Sequence, residues 1–238
     1  MSNHNDFILS PITDILKIAV TATTGIGSGI ETYPLCDYIM QSVFLKMTGV
    51  QEQKMKCICW ELATNDYEYR RRLLAGEYKF GECSSYLDKN KVYKHLVAQI
   101  QNHSPASDFI NDNDKQNILA TAISDVKDIF LDTNLSIWAQ NSFSEFTNNW
   151  TLIQRVHFAN KDSLFENVLQ DKYAVLYRHR NRCAHNTQSY QQNLPTLKTL
   201  AREDYKHENY FVWFSILVLI DKIFIELYEK YLSVLQDS

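Results

Sequence analysis

The run Arg178-His179-Arg180-Asn181-Arg182-Cys183-Ala184-His185 places three arginines and two histidines in eight consecutive positions. Arginine keeps its charge and offers a planar fork of N–H donors that matches phosphate oxygens. Histidine titrates near neutrality and can take or give a proton. Together these residue types suit proton-transfer chemistry on a polyanion. The flanks strengthen the field: from Lys172 to Arg202 there is no Asp or Glu, although acids outnumber bases by 28 to 24 over the chain. The net charge is −4, so any affinity for nucleic acid must come from this local patch and not from global basicity.

RNA is the polyanion on which this pair of residue types can do most. Its 2′-hydroxyl attacks the adjacent phosphate once a base removes its proton, and the leaving 5′-oxygen needs an acid. A guanidinium placed where charge develops would stabilise the phosphorane by a few kcal/mol. The products would be a 2′,3′-cyclic phosphate and a free 5′-hydroxyl, with no metal or cofactor required. The plainer alternative is a solvated basic run that complements a helix dipole.

Arg180-Asn181 followed by His185, with four residues between Arg and His and Ala184 just before the His, resembles the signature of HEPN domains. Arg178 to His185 would fit a looser, six-residue spacing, but Asn181 directly follows Arg180 as the family pattern asks. The resemblance spans Leu164 to about Leu235. It implies an all-α bundle and a homodimer in which two copies of the motif share a cleft. It further implies a metal-independent endoribonuclease with Arg180, His185 and Asn181 as catalytic residues, and Arg178, Arg182, His179 and Lys172 holding RNA. Family members often act as toxins or in antiviral defence under a protein antitoxin or regulator. A non-catalytic RNA- or protein-binding accessory or immunity module is the alternative. Some family members accept nucleotides on a Tyr two residues after the His; Thr187 stands there in this chain.

The elements that must position these residues read as helices. Only six Gly and four Pro punctuate the 238 residues, which favours long helices. Apolar spacing predicts a helix from Phe7 to about Thr21 with Pro11 in its first turn, broken at Gly25–Gly29. It predicts two helices between Pro34 and Leu74, divided at Gly49, with Glu52–Lys56 and Glu68–Arg72 as exposed pairs. A helix capped around Asp88–Lys91 follows, then one through Ile118–Phe130. Another, capped by Asp162 or Ser163, runs through Leu164 and Tyr173 into the motif. Asn186 to Pro195 reads as a connection, and the last helix, about Tyr205 to Leu235, is apolar all round and therefore central. On an unbroken helix Arg178, Arg182 and His185 share a face, whereas Arg180 points away from His185. Their convergence needs either a turn near 182–184 or pairing between chains.

The expected fold class is all-α, with residues 114–238 as a HEPN-like bundle and residues 1–113 as an N-terminal helical elaboration packed on it. The five cysteines have no disulfide or zinc spacing, and Cys57 and Cys59 read as small buried hydrophobes. His157 reads as structural, and His95, His103 and His207 as surface residues. The aromatic clusters read as core. The longest apolar run, Phe211 to Ile220, is too short to span a bilayer, so no membrane association is expected and a cytoplasmic location is.

Overall fold

The computed structural model describes residues 3–27, 29–78, 81–104, 110–148, 153–185 and 209–236, apart from the side chain at 185. The fold is all-α with one small hairpin, and its order is α1 (Asn3–Leu9), α2 (Thr13–Thr23), α3 (Tyr33–Asn65), α4 (Tyr67–Leu74), α5 (Tyr86–His103), α6 (Asp112–Phe130), α7 (Asn134–Trp138), α8 (Gln140–Asn148), β1 (Phe158–Asn160), β2 (Ser163–Phe165), α9 (Asn167–His185) and α10 (Tyr210–Gln236).

The centre is α10. From Phe211 to Asp221 only Val212 is not fully buried, and α1, α3, α5, α6, α8 and α9 all pack on it. The predicted start near Tyr205 lies outside the described residues. The longest helix is α3. It opens on Pro34 in its first turn and runs without interruption through Gly49, where a helix boundary was expected. The reason is a continuous buried stripe, Met40, Phe44, Met47, Gln51, Met55, Ile58 and Leu62, whose packing outweighs the roughly 1 kcal/mol cost of a glycine in a helix. The true break is at Asp66, which turns extended and caps α4 by accepting from the Glu68 and Tyr69 N–H groups at 2.8 and 3.0 Å.

Three further boundaries differ from expectation. The N-terminal helix is two helices, because Ser10-Pro11 ends α1 and α2 starts at Thr13. Ser85, not Asp88, caps α5. Ser163–Phe165 is a strand, not a helix start, paired antiparallel with Phe158–Asn160. Tyr86 and Tyr93 on α5 lock this hairpin by donating their hydroxyls to the Phe165 and Asn160 carbonyls at 2.9 and 2.8 Å. The proposed division at 113/114 falls inside α6, and helices from both halves form one hydrophobic core. Among the described residues no helix is long and apolar enough to cross a membrane.

Candidate functional site

Leu169, Tyr173 and Leu176 form the buried stripe of α9, and the stripe runs on into the motif. The next positions on that face are 179 and 180. His179 was expected at the surface as an RNA contact. It is instead buried, at 8 % exposure, because it occupies a core register. Its ring packs on Phe44 of α3 and Trp213 of α10, with centroids 5.5 and 4.5 Å away. Arg182 Nη2 lies 3.1 Å from Nδ1, and a guanidinium can only donate, so Nδ1 is the acceptor. Nε2–H then donates to the Tyr210 hydroxyl at 2.9 Å. His179 therefore pins the motif helix to α10.

Arg180 turns toward α3. Its Nη2 donates to Glu52 Oε1 at 3.0 Å and its Nη1 to Asn181 Oδ1 at 3.1 Å, while the two charged side chains keep 22 % and 12 % of their surface. Asn181 thus positions the guanidinium from the adjacent residue. Glu52 was expected to pair with Lys56 on an exposed face. It is buried, and Lys56 pairs with Glu82. A signal existed in the sequence: Glu52 follows Thr48 by four and precedes Met55 by three, inside the buried stripe of α3.

A second cation completes the cluster. Lys89 of α5 is buried, donates to the Cys83 carbonyl at 2.9 Å, and lies within electrostatic reach of both Glu52 and Arg180. Tyr173, which donates to the Ser84 carbonyl at 2.8 Å, sets its ring 6.0 Å from the Lys89 nitrogen. Burial pushes the Lys89 amine down to about 8, with Arg180 adding repulsion and Glu52 opposing. Sequence reasoning missed Lys89, and lysine inside the polar run Asp88–Lys91 carries no mark of burial. Arg180 and Lys89 thus both lie near Glu52, Asp88 is a second carboxylate in electrostatic reach of Lys89, and Arg180 Nε is a buried donor with no hydrogen-bond partner among the described residues.

The remaining motif residues lie along the outer side of α9. Arg178 and Arg182 are exposed, and Asn181 and Lys172 are partly so. The helix continues unbroken to His185, so the turn near 182–184 is absent. Positions 180 and 185 are then about 140° apart around the axis. The side chain of His185 lies outside the described residues, as do the 186–208 segment and its Lys198 and Arg202. His95 is not a surface residue: it bonds Tyr69 Oη at 3.1 Å, and burial pushes it down to about 4. Among the described residues no three His, Cys, Asp or Glu side chains are grouped to hold a metal.

No family model, curated protein or solved structure matches this chain. The site must therefore be argued from its own geometry. The Arg180 cluster is a half-buried guanidinium with the buried Lys89 in electrostatic reach and an exposed basic strip beside it. Such an arrangement can bind an anionic oxygen and stabilise charge that develops on it.

Proposed function

We propose that the chain is a metal-independent endoribonuclease of the HEPN type that works as a homodimer. The observation that carries this reading is the partly open guanidinium of Arg180, held by Glu52 and Asn181, with the buried Lys89 in electrostatic reach and one N–H donor unpaired among the described residues. An unpaired buried donor costs about 1–3 kcal/mol, and the 22 % of the Arg180 side chain that stays exposed is where an anionic oxygen would meet the guanidinium. Glu52 and Asn181 hold the guanidinium in place, so it need not reorganise when charge develops on the phosphorane. Arg178, Arg182 and Lys172 supply contacts to the RNA backbone.

His185 provides the acid or base. Because α9 stays helical through position 185, Arg180 and His185 of one chain occupy different faces. The complete site is then composite, with Arg180 of one copy facing His185 of a second. A role as a toxin or antiviral effector held in check by a protein partner follows from the same reading. Arg180→Ala and His185→Ala should each abolish cleavage of a single-stranded RNA with helical circular dichroism retained; melting should stay close to wild type in His185→Ala and fall by the equivalent of about 1–2 kcal/mol in Arg180→Ala, which loses the contact to Glu52. Cleavage that survives His185→Ala would refute the assignment.

A second reading is a non-catalytic RNA- or protein-binding module. The grip of Glu52 on Arg180 favours it, since a guanidinium already paired at 3.0 Å also serves simple helix packing. A wild-type protein that binds RNA tightly, leaves it uncut, and keeps that affinity in His185→Ala would favour this module.

A further inference from the structure

We propose that the cleft where α3, α7, α8, α9 and α10 meet, beside the motif, is a pocket for a guanine base. The proposal rests on the RNA reading for its biological setting, although the pocket itself can be tested without RNA cleavage. The cleft holds about 250 Å³ and is lined by Asp37, Gln41, Trp138, His179 and Tyr210 among others. That is room for one planar base.

The polar groups select the edge. Gln41 Nε2 donates to Asp37 Oδ2 at 2.7 Å, and Oδ1 has no hydrogen-bond donor among the described residues. The amide that donates to Asp37 keeps its own Oε1 as an acceptor. Burial raises the Asp37 carboxyl above its ordinary value, so this is a partly desolvated acceptor that a pair of N–H donors would satisfy. Guanine alone among the four RNA bases presents two adjacent N–H donors on its pairing edge. Adenine and cytosine set an acceptor beside their amino group, which would face carboxylate lone pairs, and uracil sets carbonyls on both sides of its single N–H. Trp138 lines the cleft as an aromatic side chain of the kind on which unstacked bases lie, and Tyr210, itself packed among Phe44, His179, Trp213 and Phe214, forms the wall beside it. A free amine would suit the carboxylate too, but the basic strip next door opposes a cationic ligand.

The position relative to the motif supports a nucleotide. His179 lines the cleft, and its far nitrogen bonds exposed Arg182. A base in the cleft therefore has a guanidinium one imidazole away.

The test uses the full chain and free guanosine, adenosine, cytidine and uridine 5′-monophosphates, with binding read by titration calorimetry and ligand-observed NMR. Guanosine monophosphate should bind at least about tenfold tighter than the other three, the scale of one good bidentate contact. Asp37→Asn, which preserves shape and replaces an acceptor with a donor, should remove that preference while melting is unchanged. Trp138→Ala should weaken all binding. Equal affinity for the four nucleotides, no binding of any, or a guanine preference that survives Asp37→Asn would each overturn the pocket. Outcomes separate it from the nuclease reading: RNA cut without any guanosine monophosphate binding sinks only the pocket, and guanosine monophosphate bound by a protein that never cuts RNA sinks only the nuclease.

Discussion

Two buried charge clusters start two residues apart on α3, and they follow opposite rules. Lys54 faces α10, where it pairs with Asp221 at 2.6 Å and also donates to the Ser10 carbonyl. The other Asp221 oxygen accepts the Ile12 N–H at 2.9 Å. One cation meets one anion, and the leftover polar groups are used to tie down the break between α1 and α2. Glu52 faces α9 and α5, where it pairs with Arg180 and lies with Asp88 in electrostatic reach of Lys89, and a guanidinium N–H is left over. Burial of charge is thus no mark of a site by itself, since the balanced pair explains itself as structure. The mark is the guanidinium N–H that no group among the described residues satisfies.

The comparison can be broken at its strongest point first. Lys54→Ala leaves the Asp221 carboxylate buried without its cation, and denaturant unfolding should show a loss of about 3–5 kcal/mol. Glu52→Gln keeps a hydrogen-bond acceptor beside Arg180 and acts on a cluster partly open to solvent, where the guanidinium side chain is 22 % exposed. It should cost less, about 1–2 kcal/mol, while RNA cleavage falls because Arg180 is held less firmly. If the two variants lose stability equally, the contrast between the clusters fails.

A pH series sharpens the same contrast through Lys89. Burial holds its amine at about 8 in the folded chain against an ordinary 10.5. Between those values the unfolded chain carries the proton and the folded chain does not, so Lys89 makes stability rise with pH across that window. Lys89→Met should remove that slope. Above about 8 Lys89 loses its charge, so affinity for RNA should fall as pH rises through that value, and the fall should be shallower in Lys89→Met. The smallest effect belongs to the exposed Glu68, which touches Arg71 and Arg72 on the surface. Glu68→Ala should leave melting and cleavage within experimental scatter.

Much of the frame was legible because periodicity reports burial. The all-α class, the central apolar helix and the exposed Glu68–Arg72 pair follow from spacing alone. The hairpin was not, because Phe158–Asn160 and Ser163–Phe165 are too short to show alternation and depend on Tyr86 and Tyr93 from α5. The partners of Arg180 were equally hidden. The helical register of Glu52 with Thr48 and Met55 marks its burial but not its partner 128 positions away, and Lys89 sits on a third helix inside a polar run where nothing local marks it for burial. His179 was the reverse case, since its core register on α9 was visible in Leu169, Tyr173 and Leu176, while its basic neighbours suggested a surface.

The most direct measurement is digestion of a single-stranded RNA by the purified chain in excess EDTA, with the ends of the products identified by mass spectrometry. Cleavage that leaves 2′,3′-cyclic phosphates and 5′-hydroxyls, at full rate without metal, is the predicted result. RNA that stays intact, or is cut only when Mg²⁺ is returned, would contradict it.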